Sequence, residues 1–203
     1  MSINCQIKVE LCLNLFSFSG TRVALRKSIF FLGHSFIKRM PSSMFSISGF
    51  RVGRIGKGGG LLSDFGDAEL AAISKFCPQF VFLQIGGNDI VSPVETPATE
   101  QARVIATGLK KLVVRILDLG VGKVLVGEIL FRKGSRGVSQ LEYHHTRVKV
   151  NRTLRKVLNK VDGAEFVNFR GLNIDQHLKG DGVHLNKQGY HSYCHAILDR
   201  IKK

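Results

Sequence analysis

The chain has 203 residues, which is enough for one good core and favours one domain over two. Its 44 % hydrophobic and 22 % charged residues are ordinary globular composition and exclude disorder as the dominant state. Thirty Lys+Arg stand against 15 Asp+Glu, a net charge of +15, which points to an anionic partner (nucleic acid, a membrane surface or an acidic substrate) and says nothing about the fold.

Residues 1–27 do not match the pattern that follows and read as an N-terminal leader of uncertain structure. Their apolar stretch, 9–18, is interrupted by Glu10 and Asn14 and preceded only by Lys8. No convincing small-x-small cleavage site follows it, so secretion is not expected. No apolar run reaches the roughly 18 residues of a membrane-spanning helix. The four cysteines, Cys5, Cys12, Cys77 and Cys194, contain no Cys-x-x-Cys pair. They read as free thiols in a reducing compartment, and the expected location is intracellular and cytoplasmic.

From Ser28 onward, short apolar runs alternate with longer stretches of helical period. The first strand is predicted at 28–32, with a short helix after Ser35. A second strand is predicted at 44–52, and the glycine-rich stretch 53–60 reads as a loop. A helix follows at 62–76 and a strand at 80–85. The next helix, 98–119, puts Ile105, Leu109, Leu112, Val113 and Ile116 on one stripe. A strand at 123–129 leads to a helix at 143–161, striped by Val150, Leu154, Val157, Leu158 and Val161. A strand at 165–169 and a helix at 187–201 complete the set. Fivefold strand–helix alternation implies an α/β fold: a single doubly wound, five-stranded parallel sheet with helices on both faces, spanning residues 28–203. Runs such as Val81-Phe82-Leu83, apolar throughout, suit strands buried on both sides.

In such sheets ligands bind beyond the carboxyl ends of the strands. Those ends carry Gly33-His34-Ser35-Phe36, Gly56-Lys57-Gly58-Gly59-Gly60 and Gly86-Gly87-Asn88-Asp89, and Asp181-Gly182-Val183-His184-Leu185-Asn186 precedes the last helix. The residue types form one chemistry. A serine at a strand-to-helix turn can present its hydroxyl, a histidine can take the proton, and an aspartate three residues earlier can hold the imidazole. A glycine N–H and an asparagine amide can donate to a developing oxyanion. These are the parts of acyl transfer through a covalent serine intermediate. Taken singly, Ser35 could be a helix cap and Asn88 a turn residue; the ordered set is what points to catalysis. Asp89 reads as structural.

These motifs, in this order, resemble the SGNH (GDSL-type) hydrolases, and the resemblance runs from Ser28 to the C-terminus. It implies a flavodoxin-like SGNH fold and a serine esterase or acyl hydrolase acting on a small ester. Ser35, Asp181 and His184 are then the triad, and Ser35, Gly59 and Asn88 the oxyanion donors, with Gly58 close behind Gly59. No cofactor is implied. The family usually has Asp where this chain has His34, a substitution associated with a Gly-His-Ser-Phe subgroup that includes retroelement-encoded esterase domains.

Other features point elsewhere. His191 and His195 are four apart on a predicted helix, yet no third ligand falls at a metal-binding spacing, and no metal is expected. The loop at 53–60 lacks the order of a P-loop or of G-x-G-x-x-G. The basic excess is concentrated: nine of the basic residues and one acid, Glu142, lie between Arg132 and Lys160. Arg147, Arg152, Arg155, Lys156 and Lys160 are placed on the exposed side of the helix at 143–161, where they could form a plain solvated face. Such a face could also contact nucleic acid non-specifically. This sets up a competing expectation: a catalytically weak SGNH-like module that serves as a basic nucleic-acid-binding or accessory domain.

Overall fold

The computed structural model describes residues 27–45, 49–92, 94–133 and 137–202. The predicted leader, apart from Lys27, lies outside them, as do Cys5 and Cys12. The strands are β1 (Lys27–Gly33), β2 (Phe50–Gly56), β3 (Phe80–Gln84), β4 (Lys123–Gly127) and β5 (Ala164–Val167). The helices are α1 (Ser35–Lys38), α2 (Asp67–Phe76), α3 (Ala98–Leu117), α4 (Gln140–Leu158), α5 (Ile174–His177) and α6 (Lys187–Ile201). All strand pairs are parallel, and the sheet order is β2-β1-β3-β4-β5. This is the flavodoxin-like order, and its switch point lies between β1 and β3. The expected α/β architecture is the one observed.

Alternation along the strands divides the core. Phe30, Leu32, Val81, Leu83, Val124 and Val126 face a layer built with Ile73 of α2, Leu109 of α3 and Leu154 of α4. Ile29, Phe31, Phe82 and Leu125 face the opposite layer, with Phe36 of α1 and Tyr193 and Ile197 of α6. Two tyrosines of α6 reach the carboxyl end of the sheet. Tyr190 donates to the Phe36 carbonyl at 2.9 Å, which pins α1. Tyr193 donates to Gln84 Oε1 at 2.7 Å, and Gln84 Nε2 in turn donates to the Glu128 carbonyl at 3.0 Å.

Several boundaries differ from the sequence reading. The second strand, predicted at 44–52, runs instead from Phe50 to Gly56; residues 42–45 form a 3-10 turn, and 46–48 lie outside the described residues. Of the stretch 53–60 read as loop, Gly53 and Gly56 lie in β2 and 57–60 is loop; at the two strand positions the neighbours leave no room for a side chain. A Cβ on Gly53 would lie 2.6 Å from Phe30 Cδ2, and one on Gly56 would lie 2.3 Å from the Lys38 backbone nitrogen. The helix predicted at 62–76 is broken: a 3-10 turn covers Leu62–Asp64, and α2 starts after Gly66, whose N–H is capped by Glu69 Oε2 at 2.8 Å. Helix α4 starts three residues earlier than predicted because Ser139 and Glu142 form a capping box. The four-residue helix α5 was not anticipated. The last helix has the predicted bounds.

The close approach at Gly56 yields a prediction. Gly56→Ala should destabilise the protein by about 1–3 kcal/mol through overpacking against Lys38 of α1. Gly171→Ala, where a Cβ meets nothing within 4 Å, should stay within about 0.5 kcal/mol of the parent. Urea midpoints check both, and equal midpoints for the two variants would contradict the packing account.

Candidate active site

Strand β1 ends at Gly33 in tight contact with β3, where a Cβ would sit 2.5 Å from the Gln84 carbonyl oxygen. The His34 N–H donates to that carbonyl at 3.1 Å, and the chain then turns into α1 with Ser35 as its first residue. The nucleophile candidate therefore stands at the switch point, 8 % exposed.

His184 reaches Ser35 from the loop before α6. That loop is held on several sides. Leu178 and Leu185 form an antiparallel bridge, Lys179 N–H donates to the His184 carbonyl at 2.7 Å, and Asn186 Oδ1 caps α6 at Gly189 N–H, 2.8 Å. Gly182 adopts φ +65°, and Lys133 lies where its side chain would be, so the turn requires glycine.

The three predicted triad residues meet. Ser35 Oγ lies 3.0 Å from His184 Nε2, and His184 Nδ1 lies 2.7 Å from Asp181 Oδ2. Asp181 Oδ1 accepts from the Val183 and His184 N–H groups, both at 2.9 Å. Burial pushes the Asp181 carboxyl up. The hydrogen bonds from His184 and Val183, with the His184 charge, outweigh that and hold it well below the usual carboxylate range. An ionised Asp181 accepts the proton on His184 Nδ1, which leaves Nε2 facing the serine hydroxyl.

The predicted oxyanion donors lie on neighbouring loops. Asn88 Nδ2 donates to the Gly60 carbonyl at 2.9 Å, and Asp89 Oδ1 accepts from Leu62 N–H at 2.9 Å, so the loop after β3 is tied to the loop after β2. Gly59 has φ +71° in the exposed turn immediately before Gly60, whose own N–H bonds the Lys57 carbonyl at 3.2 Å. Asn88 thus touches Gly60 rather than Gly59 or Gly58. Asp89 braces the two loops. Its Oδ2 is buried without a partner among the described residues, and burial raises its pKa.

One residue near the site was grouped by sequence only with the basic surface. Arg132 is 7 % exposed, and its Nη2 donates to Asn88 Oδ1 at 2.9 Å. Among the residues assigned to the basic helix face, Arg147 needs correction. It turns inward, half-buried, and donates to the Ile129 carbonyl at 3.1 Å beside the Phe131 ring, because the chain after β4 brings acceptors under α4. Arg152 and Lys156 are exposed. Arg155 is exposed too, with its guanidinium on Asn168 Oδ1 at 2.7 Å. Among the described residues, no group of three or more His, Cys, Asp or Glu is placed to hold a metal ion, and no helix is long and apolar enough to cross a membrane.

A switch-point serine linked through histidine to an ionised aspartate, on a 2-1-3-4-5 parallel sheet, defines the α/β class of SGNH-fold hydrolases. The chain belongs to the GDSL-like lipase/acylhydrolase family, whose model matches residues 21–191. No curated protein sequence matches it. Its fold is similar to that of a GDSL-like lipase from Bacteroides thetaiotaomicron, with TM-score 0.66 at 16 % identity over 98 % of this chain and 97 % of that one. It is also similar to an acetylxylan esterase from Geobacillus stearothermophilus, solved as a catalytic mutant, with TM-score 0.67 at 16 % identity over 86 % of this chain and 94 % of that one.

His34, at the position where the family usually has Asp, is 1 % exposed, and its Nδ1 has no partner among the described residues. Burial, then the charges of Arg132 and His184, push its pKa down to about 3. The sign of the pH effect follows. Unfolded, the imidazole takes a proton near 6.5; folded, it does so only near 3. Between those values protonation favours unfolding, so this contribution to stability is present above 6.5 and lost as pH falls. The urea-midpoint advantage of wild type over His34→Gln should shrink between about pH 7 and about pH 4.5, with a slope of at most about 1.4 kcal/mol per pH unit. A difference independent of pH would contradict a buried neutral His34.

Proposed function

We propose that the protein is a serine esterase that cleaves a small carboxylic ester through Ser35, His184 and Asp181. The observation that carries this reading is the continuous hydrogen-bonded chain from Ser35 Oγ through His184 to Asp181. Ser35 Oγ attacks the ester carbonyl while His184 Nε2 accepts its proton. Asp181 orients the ring and stabilises the imidazolium. The Ser35 and Gly59 N–H groups and Asn88 Nδ2 take the tetrahedral oxyanion. His184 then protonates the leaving alcohol as the intermediate collapses to an acyl-serine. A water molecule, deprotonated by His184, releases the acid and restores the serine. Gly59 is preferred over Gly58 because it directly precedes Gly60, whose carbonyl holds Asn88.

Ser35→Ala should lower hydrolysis of p-nitrophenyl acetate by about 10³-fold or more and leave the thermal melt in place. A folded Ser35→Ala protein with undiminished turnover would overturn the assignment.

A second surface accompanies this reading. Arg152 and Lys156 on α4, and Lys160 just beyond its end, recur every fourth residue and are exposed, with Lys149 one turn earlier. We propose that this stripe contacts the phosphates of nucleic acid without reading bases. Arg152→Glu with Lys156→Glu should weaken retention on single-stranded nucleic acid and reduce the salt slope by about 0.7 for each phosphate no longer neutralised. Ester turnover should be unchanged. Retention that ignores both substitutions and salt would remove the proposal.

A further inference from the structure

Arg132 is a cation without an ion-pair partner: among the described residues no carboxylate lies within salt-bridge distance of it, although the residue is almost fully buried. Burying a guanidinium is costly unless its hydrogens are matched, and here its Nε is also unpartnered among the described residues. Its seat is nevertheless well made. The guanidinium lies 5.5 Å from the centre of the ring of Tyr143, itself fully buried. A Cβ on Gly87 would come within 2.9 Å of Nη2, so the glycine leaves the space that the guanidinium occupies. Among the described residues, the hydrogen-bond acceptor that the side chain meets is Asn88 Oδ1.

That contact fixes the asparagine. Arginine only donates, so the amide atom facing it is the oxygen; the Gly60 carbonyl only accepts, so the atom facing it is the nitrogen. Both neighbours demand the same amide orientation. A cation on Oδ1 also draws electron density from the amide and makes the remaining Nδ2 hydrogen a stronger donor. The charge is close enough to the site to help hold His34 neutral.

We propose that Arg132 is a positioning residue that locks and polarises the Asn88 amide as an oxyanion donor. The inference rests on the serine-esterase reading and adds to it a buried charge acting through Asn88.

The test is a double-mutant cycle on p-nitrophenyl acetate turnover, with wild type, Arg132→Met, Asn88→Ala and the double variant. Loss of a whole oxyanion donor costs about 10²–10³ in kcat, so Arg132→Met should lower kcat by about 10- to 100-fold. KM should stay within about threefold. In the Asn88→Ala background the same substitution should change kcat by less than about threefold, because the group it acts through is gone. Arg132→Lys, which keeps a charged donor, should recover part of the loss. If Arg132→Met does not fold, the cycle is run with Arg132→Lys, where the same dependence on Asn88 is expected. Equal losses in both backgrounds, or a folded Arg132→Met protein with wild-type kcat, would overturn the proposal while leaving the esterase reading intact. Wild-type turnover that is indifferent to Ser35→Ala would overturn both.

Discussion

The hydrogen bond between Ser35 Oγ and His184 Nε2 joins residues 149 positions apart, and much of the polar detail of the fold holds its two ends. Neither end is rigid by itself. Helix α1 has four residues, too short to be stable alone, and no side chain caps it. It is held by the Tyr190 hydroxyl from α6, by Gly56 packed against Lys38, and by burial of Phe36 and Ile37. The other end is a loop whose turn at Gly182 is held by Asp181 and by Lys133 N–H on the Gly182 carbonyl, 2.7 Å. Because α6 both follows the histidine loop and pins α1, one helix sets the distance between His184 and Ser35.

A second constraint links the glycine-rich loops. The loops after β2 and β3 are joined by Asn88 on Gly60 and Asp89 on Leu62, and Lys57 ties the first of them to Glu69 at 2.8 Å. Glu69 is buried; that burial raises its pKa, but the bonds from Lys57 and Gly66 N–H more than offset it and keep it ionised. The region that would receive substrate is therefore built from short cross-braced turns. The buried charges of Arg132 and Glu69, the latter paired with the partly exposed Lys57, are positioned by contacts that no single segment encodes.

The fold class was legible because its signal is local. Apolar runs bounded by glycine and stripes at helical spacing recur along the chain, and the stripe residues Ile105, Leu109, Leu112, Val113 and Ile116 are all buried. The grouping of Ser35, His184 and Asp181 was legible for another reason: Asp181 and His184 share one tight turn, and Ser35 follows a strand directly. What failed was set by tertiary contact. Gly53 and Gly56 look like loop residues until Phe30 and Lys38 are seen against them. Arg132 and Arg147 look alike in a basic stretch, yet both turn inward, because the direction of the chain after β4 cannot be read from charge. The early start of α4 was readable in principle, from the Ser139-x-x-Glu142 capping box, but lay outside the apolar stripe. The net charge of +15 divides accordingly: part forms an exposed stripe on α4, and part is buried beside the strand ends.

In the proposed mechanism Ser35 carries the acyl group between the two halves of the reaction. Rapid acid quench during turnover of an activated ester, followed by mass spectrometry of the proteolysed protein, tests this directly. The expected result is one acyl group on the peptide that contains Ser35, accumulating with the burst of released alcohol. Turnover with that peptide unmodified, or with the acyl group on another side chain, would contradict it.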